Sequence, residues 1–150
     1  TGRPNDPQKK ERYLSKYLDI PNEPLYPFGY GLSYTAFTIS DVILSSDRLT
    51  KDGEITASVC IQNTGEREGS DVLQLYIRDV TASVARPVKE LKGIEKVSLK
   101  PGEKKEISFR ITEEMLRFVR ADGSYGSEPG KFRVWISDSS DSGVYQEFIL

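Results

Sequence analysis

Glu54-Ile55-Thr56-Ala57-Ser58-Val59-Cys60-Ile61-Gln62 decides how this chain folds. Ile55, Ala57, Val59 and Ile61 are apolar, and Thr56, Ser58, Cys60 and Gln62 between them are small or polar. Side chains of an extended strand point alternately to opposite faces, so this period of two describes a strand buried on one side. The same step recurs along the chain. Leu73, Leu75 and Ile77 repeat it, and Ile107, Phe109 and Ile111 alternate with Glu106, Ser108 and Arg110. Phe132, Val134 and Ile136 alternate with Arg133, Trp135 and Ser137, and Phe148 and Leu150 end the series.

Between these runs lie residues that reverse the backbone: Lys51-Asp52-Gly53, Asn63-Thr64-Gly65, Lys100-Pro101-Gly102, Asp122-Gly123 and Glu128-Pro129-Gly130. The pattern predicts seven strands, near 36–45, 54–62, 71–79, 88–99, 104–111, 131–138 and 144–150. Short strands with one apolar face each predict an all-β, seven-stranded sandwich of the immunoglobulin or fibronectin type III-like kind over residues 36–150. One helical turn interrupts them. Thr112 is placed to N-cap it, Glu113 and Glu114 suit its positive end, and Leu116 and Phe118 follow on the apolar side.

Residues 1–35 show no such alternation and read as an extended interdomain connector. Tyr13, Leu14, Tyr17 and Leu18 have the spacing of one amphipathic helical turn, which Pro21 and Pro24 stop. The run Lys9-Lys10-Glu11-Arg12 reads as a solvated face.

At 150 residues the chain is the size of one domain. Lys plus Arg is 21 and Asp plus Glu is 23, a net charge of −2, which gives no field to hold nucleic acid. With no histidine there is no Ser-His-Asp or Cys-His nucleophile and no imidazole metal ligand. A single cysteine, Cys60, makes no internal disulfide and no thiolate metal cluster. Beside no cationic neighbour in sequence, it reads as inert. No cofactor or metal is called for, and no apolar run is long enough to span a membrane. The chain starts without Met or a signal peptide, as expected of a mature product or an excised fragment.

The connector is rich in aromatics. Tyr26, Phe28, Tyr30, Tyr34 and Phe37 are five of the chain's 15 aromatic residues, and Gly29 and Gly31 flank Tyr30. Disordered linkers avoid aromatics, so this segment is expected to pack. It either folds back on its own sandwich or docks on a domain outside this chain. Four or five aromatics bury about 150–250 Å² each, which approaches one partner's share of a standard interface. These five residues are therefore candidates for interdomain packing.

Pro24-Leu25-Tyr26-Pro27-Phe28-Gly29-Tyr30-Gly31-Leu32-Ser33-Tyr34-Thr35 resembles the segment entering the C-terminal, fibronectin type III-like domain of glycoside hydrolase family 3 enzymes. The resemblance continues through Val59-Cys60-Ile61-Gln62-Asn63-Thr64-Gly65, through Gln74-Leu75-Tyr76-Ile77-Arg78-Asp79, and through residues 86–96, where Ile94 stands at a position commonly aromatic. Leu99-Lys100-Pro101-Gly102-Glu103 and Glu128-Pro129-Gly130-Lys131-Phe132 match the later turns. Within that family the chain most resembles the bacterial periplasmic β-glucosidases. It implies a parent that cleaves β-glucosides with retention, using an Asp and a Glu that both lie upstream of this chain. It also implies no catalytic residue here, the missing catalytic domains of the same polypeptide as partners, and a periplasmic or secreted location.

The residues themselves agree that catalysis lies elsewhere. A retaining glycosidase needs two carboxyl groups about 5–5.5 Å apart. Glu113 and Glu114 read as first-turn charges, and Glu66 and Glu68 as exposed turn residues. Asp138-Ser139-Ser140-Asp141-Ser142-Gly143 lacks the ligands of a calcium loop and reads as the turn before the last strand. Gly29-Tyr30-Gly31 follows no strand and opens no helix, so it is not a phosphate loop. Trp135 faces away from the predicted core. An outward Trp lies against its strand neighbours, joins an interface or stacks on a sugar. Two functions follow as expectations. One is a non-catalytic module that braces the catalytic domains through the connector. The alternative is a carbohydrate-binding module using Trp135.

Overall fold

The computed structural model describes residues 23–150. Residues 1–22, the Tyr13–Leu18 turn and the Lys9–Arg12 run among them, lie outside the described residues. The strands are β1 (Phe37–Ile39), β2 (Ile43–Leu44), β3 (Glu54–Asn63), β4 (Gly69–Asp79), β5 (Glu90–Leu99), β6 (Lys104–Thr112), β7 (Phe118–Val119), β8 (Tyr125–Gly126), β9 (Lys131–Ser137) and β10 (Gln146–Ile149). In one sheet β1 and β2 both pair with β3, which pairs on its other side with β6. The second sheet runs β10-β9-β4-β5, and every pairing is antiparallel. The two sheets face each other as the period-two pattern requires. Ile55, Ala57, Val59, Ile61, Ile107 and Ile111 meet Leu73, Leu75, Ile77, Phe132, Val134, Ile136 and Phe148 in one core. At its centre the Phe132 and Phe148 rings stack at 5.3 Å.

Three local differences from the sequence reading have physical causes. The first predicted strand, 36–45, is two strands. From Ile39 to Ile43 this strand takes four steps while β3 takes three, from Ile61 to Ser58, so one extra residue bulges out. Ser40 and Ser45 hold the break, their hydroxyls accepting from the backbone N–H of Cys60 and Thr56, each at 2.9 Å. Second, the helical turn is a 3-10 turn of four residues, Glu113–Leu116, and the Thr112 side chain makes no capping bond. Third, Asp122-Gly123 is the turn of a small hairpin, β7 with β8, whose two-residue strands are too short to show a period.

The outer face of the second sheet is also covered at its middle. Gln74 and Tyr76 of β4 and Trp135 of β9 point away from the core yet are buried. What covers them is the site.

Candidate functional site

The connector reaches the sandwich at one end of the molecule, where the β3–β4 turn, the β5–β6 turn and the turn after β9 meet. Asn63 organises this end. It continues the inward series Ile55, Ala57, Val59, Ile61 and is fully buried. Its side-chain oxygen accepts from Thr35 Oγ1 at 2.7 Å and from Gly65 N at 3.0 Å. Its amide nitrogen donates to the carbonyls of Arg67 at 2.7 Å and Leu99 at 2.9 Å. Both ends of the amide are thus fully used, and they tie connector, turn and β5 together. The sequence marked Asn63 only as a turn residue.

Upstream of Thr35 the chain lies across β4. Tyr30 N donates to Pro27 O at 3.0 Å, closing a turn with Gly29 at φ +89°. Ser140 N donates to Phe28 O at 2.8 Å, and Gly29 rests on Gln74 and Asp138. The turn after β9 is knitted by its own serines. Ser142 Oγ donates to Asp138 Oδ1 at 2.6 Å, and Ser139 Oγ to Asp141 Oδ1 at 2.8 Å. It is a backbone platform for the connector.

Backbone contact does not bury the connector's side chains. Phe28 is 66 % exposed and Tyr34 93 %, and Leu25, Tyr26, Tyr30 and Leu32 are exposed beside them. Tyr26 and Tyr30 pair at a centroid distance of 4.9 Å. Phe37 is different in kind: it belongs to β1, is half-buried and packs on the core. Of the five aromatics singled out in sequence, four therefore form an outward face and one is part of the sandwich. Beside this face lies a shallow groove between Tyr30–Ser33 and the carboxyl groups of Asp71 and Asp138. Burial pushes the Asp71 carboxyl up, and the charge of Asp138 adds to the effect.

Trp135 lies on the same sheet and is 7 % exposed. The Lys89 ammonium sits 4.9 Å above its ring, and the Tyr145 ring meets it edge-on at 5.5 Å. Lys89 also donates to Ser142 O at 3.2 Å, and its burial lowers the pKa of the ammonium. A sugar ring has no free indole face to stack on, so the carbohydrate-binding alternative is not supported.

At the opposite end an open cleft of about 720 Å³ is lined by Arg48, Lys51, Arg117, Arg120 and Tyr125 around Glu113. Glu113 stands in the first turn of the 3-10 segment, as read from sequence, but is 4 % exposed. Arg117 holds it through Nε and Nη2, each at 2.8 Å, and Ser127 donates to its other oxygen. These hydrogen bonds, Arg117's first, hold its carboxyl below the usual range despite burial. A general acid needs the opposite shift, so Glu113 is an ion-pair partner. Glu114, Glu66 and Glu68 are exposed, as is Cys60.

A model of the fibronectin type III-like domain matches residues 71–140. The chain is 58 % identical over 140 residues to a periplasmic beta-glucosidase of Salmonella typhimurium, covering 93 % of this chain and 18 % of that protein. The chain belongs to the fibronectin type III-like domains that family 3 glycoside hydrolases carry. It is also 51 % identical to a putative beta-xylosidase of Formosa agariphila, over 88 % of this chain and 18 % of that protein. A crystal structure of a beta-glucosidase from Listeria innocua in complex with glucose superposes with a TM-score of 0.89 at 45 % identity, covering 99 % of this chain and 21 % of that one. This fibronectin type III-like chain thus spans about a fifth of the length of the relatives it matches. Among its described residues no helix is long and apolar enough to cross a membrane.

Proposed function

We propose that this domain is the C-terminal, non-catalytic brace of a family 3 β-glucosidase. In this reading residues 1–35 are the connector and 36–150 the sandwich. The rest of the same polypeptide carries the catalytic carboxylates and hydrolyses terminal β-D-glucosides with retention. The periplasmic relative supports a periplasmic or secreted location, and its name supports β-glucoside over the β-xyloside of the Formosa relative.

One observation carries the reading: Leu25, Tyr26, Phe28, Tyr30, Leu32 and Tyr34 stand exposed on a segment whose backbone is pinned to the sandwich. Contiguous apolar patches above a few hundred Å² mark interaction sites. The sandwich has its own core and gains nothing from this face. In the full-length polypeptide, changing Tyr26, Phe28 and Tyr30 together to Ala should lower the unfolding temperature and the turnover of an aryl β-glucoside. Unchanged unfolding and turnover would overturn the bracing role. The isolated chain should show no glycosidase activity at all.

A further inference from the structure

Gln74 is a buried polar residue on a face where the strand pattern places exposed ones. Leu73 and Leu75 point into the core, so Gln74 points out, yet it is 4 % exposed. Burying an amide without partners is costly, and here each end has one. The Tyr76 hydroxyl donates to Oε1, and Nε2 donates to Asp138 O at 2.7 Å. The carbonyl of Asp138 has no proton to give, so the amide has a single workable orientation.

The cover over Gln74 is Gly29. A Cβ at this position would stand 2.3 Å from Gln74 Nε2 and 2.5 Å from Asp138 O, closer than any real contact. At φ +89° the residue also occupies the left-handed region that favours glycine. The Pro27–Tyr30 turn, with glycine third and at positive φ, has the form of a type II turn. It is closed by its own hydrogen bond and clamped by the one from Ser140 to Phe28. Nothing about its shape waits for a partner.

We propose that the Pro27–Tyr30 turn is a preformed docking ridge, positioned by Gln74, that seats in an apolar cleft with hydrogen-bond acceptors at its rim on the remainder of the same polypeptide. Relatives carry roughly four-fifths of their length outside the part this chain matches, which supplies the occupant. The size fits. At about 150–250 Å² for a fully exposed aromatic, the four connector rings still present roughly 400–700 Å², and the two leucines bring the face close to one partner's share of a standard interface. The chemistry fits too. Tyr26, Tyr30 and Tyr34 each combine an apolar ring with a hydroxyl that seeks an acceptor when buried. A ridge already ordered pays no folding cost on docking. Gln74 therefore strengthens a contact it does not touch. This inference rests on the bracing role, and its test separates the two.

In the chain alone, amide hydrogen exchange reads the ridge directly, because Tyr30 N–H and Ser140 N–H are its two hydrogen bonds. Both amides should be protected in the wild type. Gln74→Ala should speed their exchange by about five- to tenfold, the equivalent of roughly one net hydrogen bond, while Ala57 and Val59 in β3 stay protected. Tyr76→Phe, which removes only the hydroxyl bond to the amide oxygen and leaves the bond to Asp138 O, should give a smaller acceleration and covers the case that Gln74→Ala does not fold. Free-chain exchange of both amides in the wild type, or no response to either variant, overturns the preformed ridge whatever the docking does. In the full-length polypeptide Gln74→Ala should lower the unfolding temperature in the same direction as the triple alanine variant. If Gln74→Ala frees the ridge but leaves full-length unfolding unchanged, Gln74 has no part in docking and the inference fails. If the triple alanine variant has no effect, the bracing role fails.

Discussion

Replacing Asn63 tests whether this end of the sandwich is built as described. The side chain is fully buried and makes four hydrogen bonds, to Thr35, Gly65, Arg67 and Leu99. Asn63→Ala removes all four and leaves the Leu99 carbonyl buried without its partner. A buried group stripped of its partner costs about 1–3 kcal/mol, and water reaches the more exposed Thr35 and Gly65. The expected loss is about 3–5 kcal/mol, a large part of the roughly 5–15 kcal/mol that holds a domain together. Asn63→Asp is more informative, because it keeps the shape. An ionised carboxylate still accepts from Thr35 and Gly65 but faces the carbonyls of Arg67 and Leu99 with no proton to donate. The protonated acid is therefore favoured in the folded state, and its pKa there is raised above the unfolded value. That stability is present below the unfolded pKa and is lost as pH rises through the folded one. Urea unfolding of both variants between pH 4 and pH 8 reads this, taken as the difference from wild type. Asn63→Asp should approach wild type in acid and fall towards Asn63→Ala at neutral pH. A loss below about 1 kcal/mol for Asn63→Ala, or an Asn63→Asp deficit that does not change with pH, would refute the reasoning.

Other sites give independent predictions. Phe132→Ala and Phe148→Ala should each cost about 3–5 kcal/mol as cavities, and their double-mutant cycle should show a coupling of about 0.5–1.5 kcal/mol for the stacked rings. The Glu113 carboxyl is held low in the fold by Arg117 and Ser127, so the stability it contributes is present above the unfolded carboxylate range and is lost as pH falls through the folded value. Glu113→Gln should flatten the acid limb of the unfolding midpoint measured against pH. Lys89→Ala should expose the chain's single Trp, shift its emission to longer wavelength and cost about 0.5–2 kcal/mol in urea unfolding.

The strand pattern was legible because it is a property of single residues. Ile55 to Ile61 alternate, and the structure buries each apolar member. What covers an outer face is a property of pairs far apart in sequence, and no period reports it. Gln74 is covered by Gly29 and Asp138, and Trp135 by Lys89 and Tyr145. From β4 and β9 alone both residues point away from the core, and only the neighbour packing that Trp135 was read to allow anticipates any cover. Asn63 was hidden in another way. Asn before Thr-Gly is a turn signal, and that signal masked its place as the last inward residue of β3. Glu113 was read against a helix dipole, but a four-residue 3-10 turn has little dipole to offer, and Arg117 supplies the charge instead. The connector aromatics were visible by composition, yet sequence could not separate Phe37, which packs on the core, from the four that face outward.

The two readings of the connector, folding back or docking elsewhere, turn out not to exclude each other. Its backbone is satisfied by the sandwich, through Ser140 to Phe28 and Thr35 to Asn63, while its rings are left in water. A segment that only needed to be tucked in would bury its rings and leave its backbone to solvent, since apolar area supplies most of the gain on folding. A segment that only needed to be a flexible tether would carry neither rings nor a clamped turn. Backbone fixed and rings presented is what the proposed docking role requires, with order set before the partner arrives. The opposite end has no such arrangement. Arg48, Lys51 and Arg120 there surround a carboxylate already paired with Arg117. On the proposed bracing role, this asymmetry makes the connector end the docking end, and the residues that shape it are Gly29, Asn63 and Gln74.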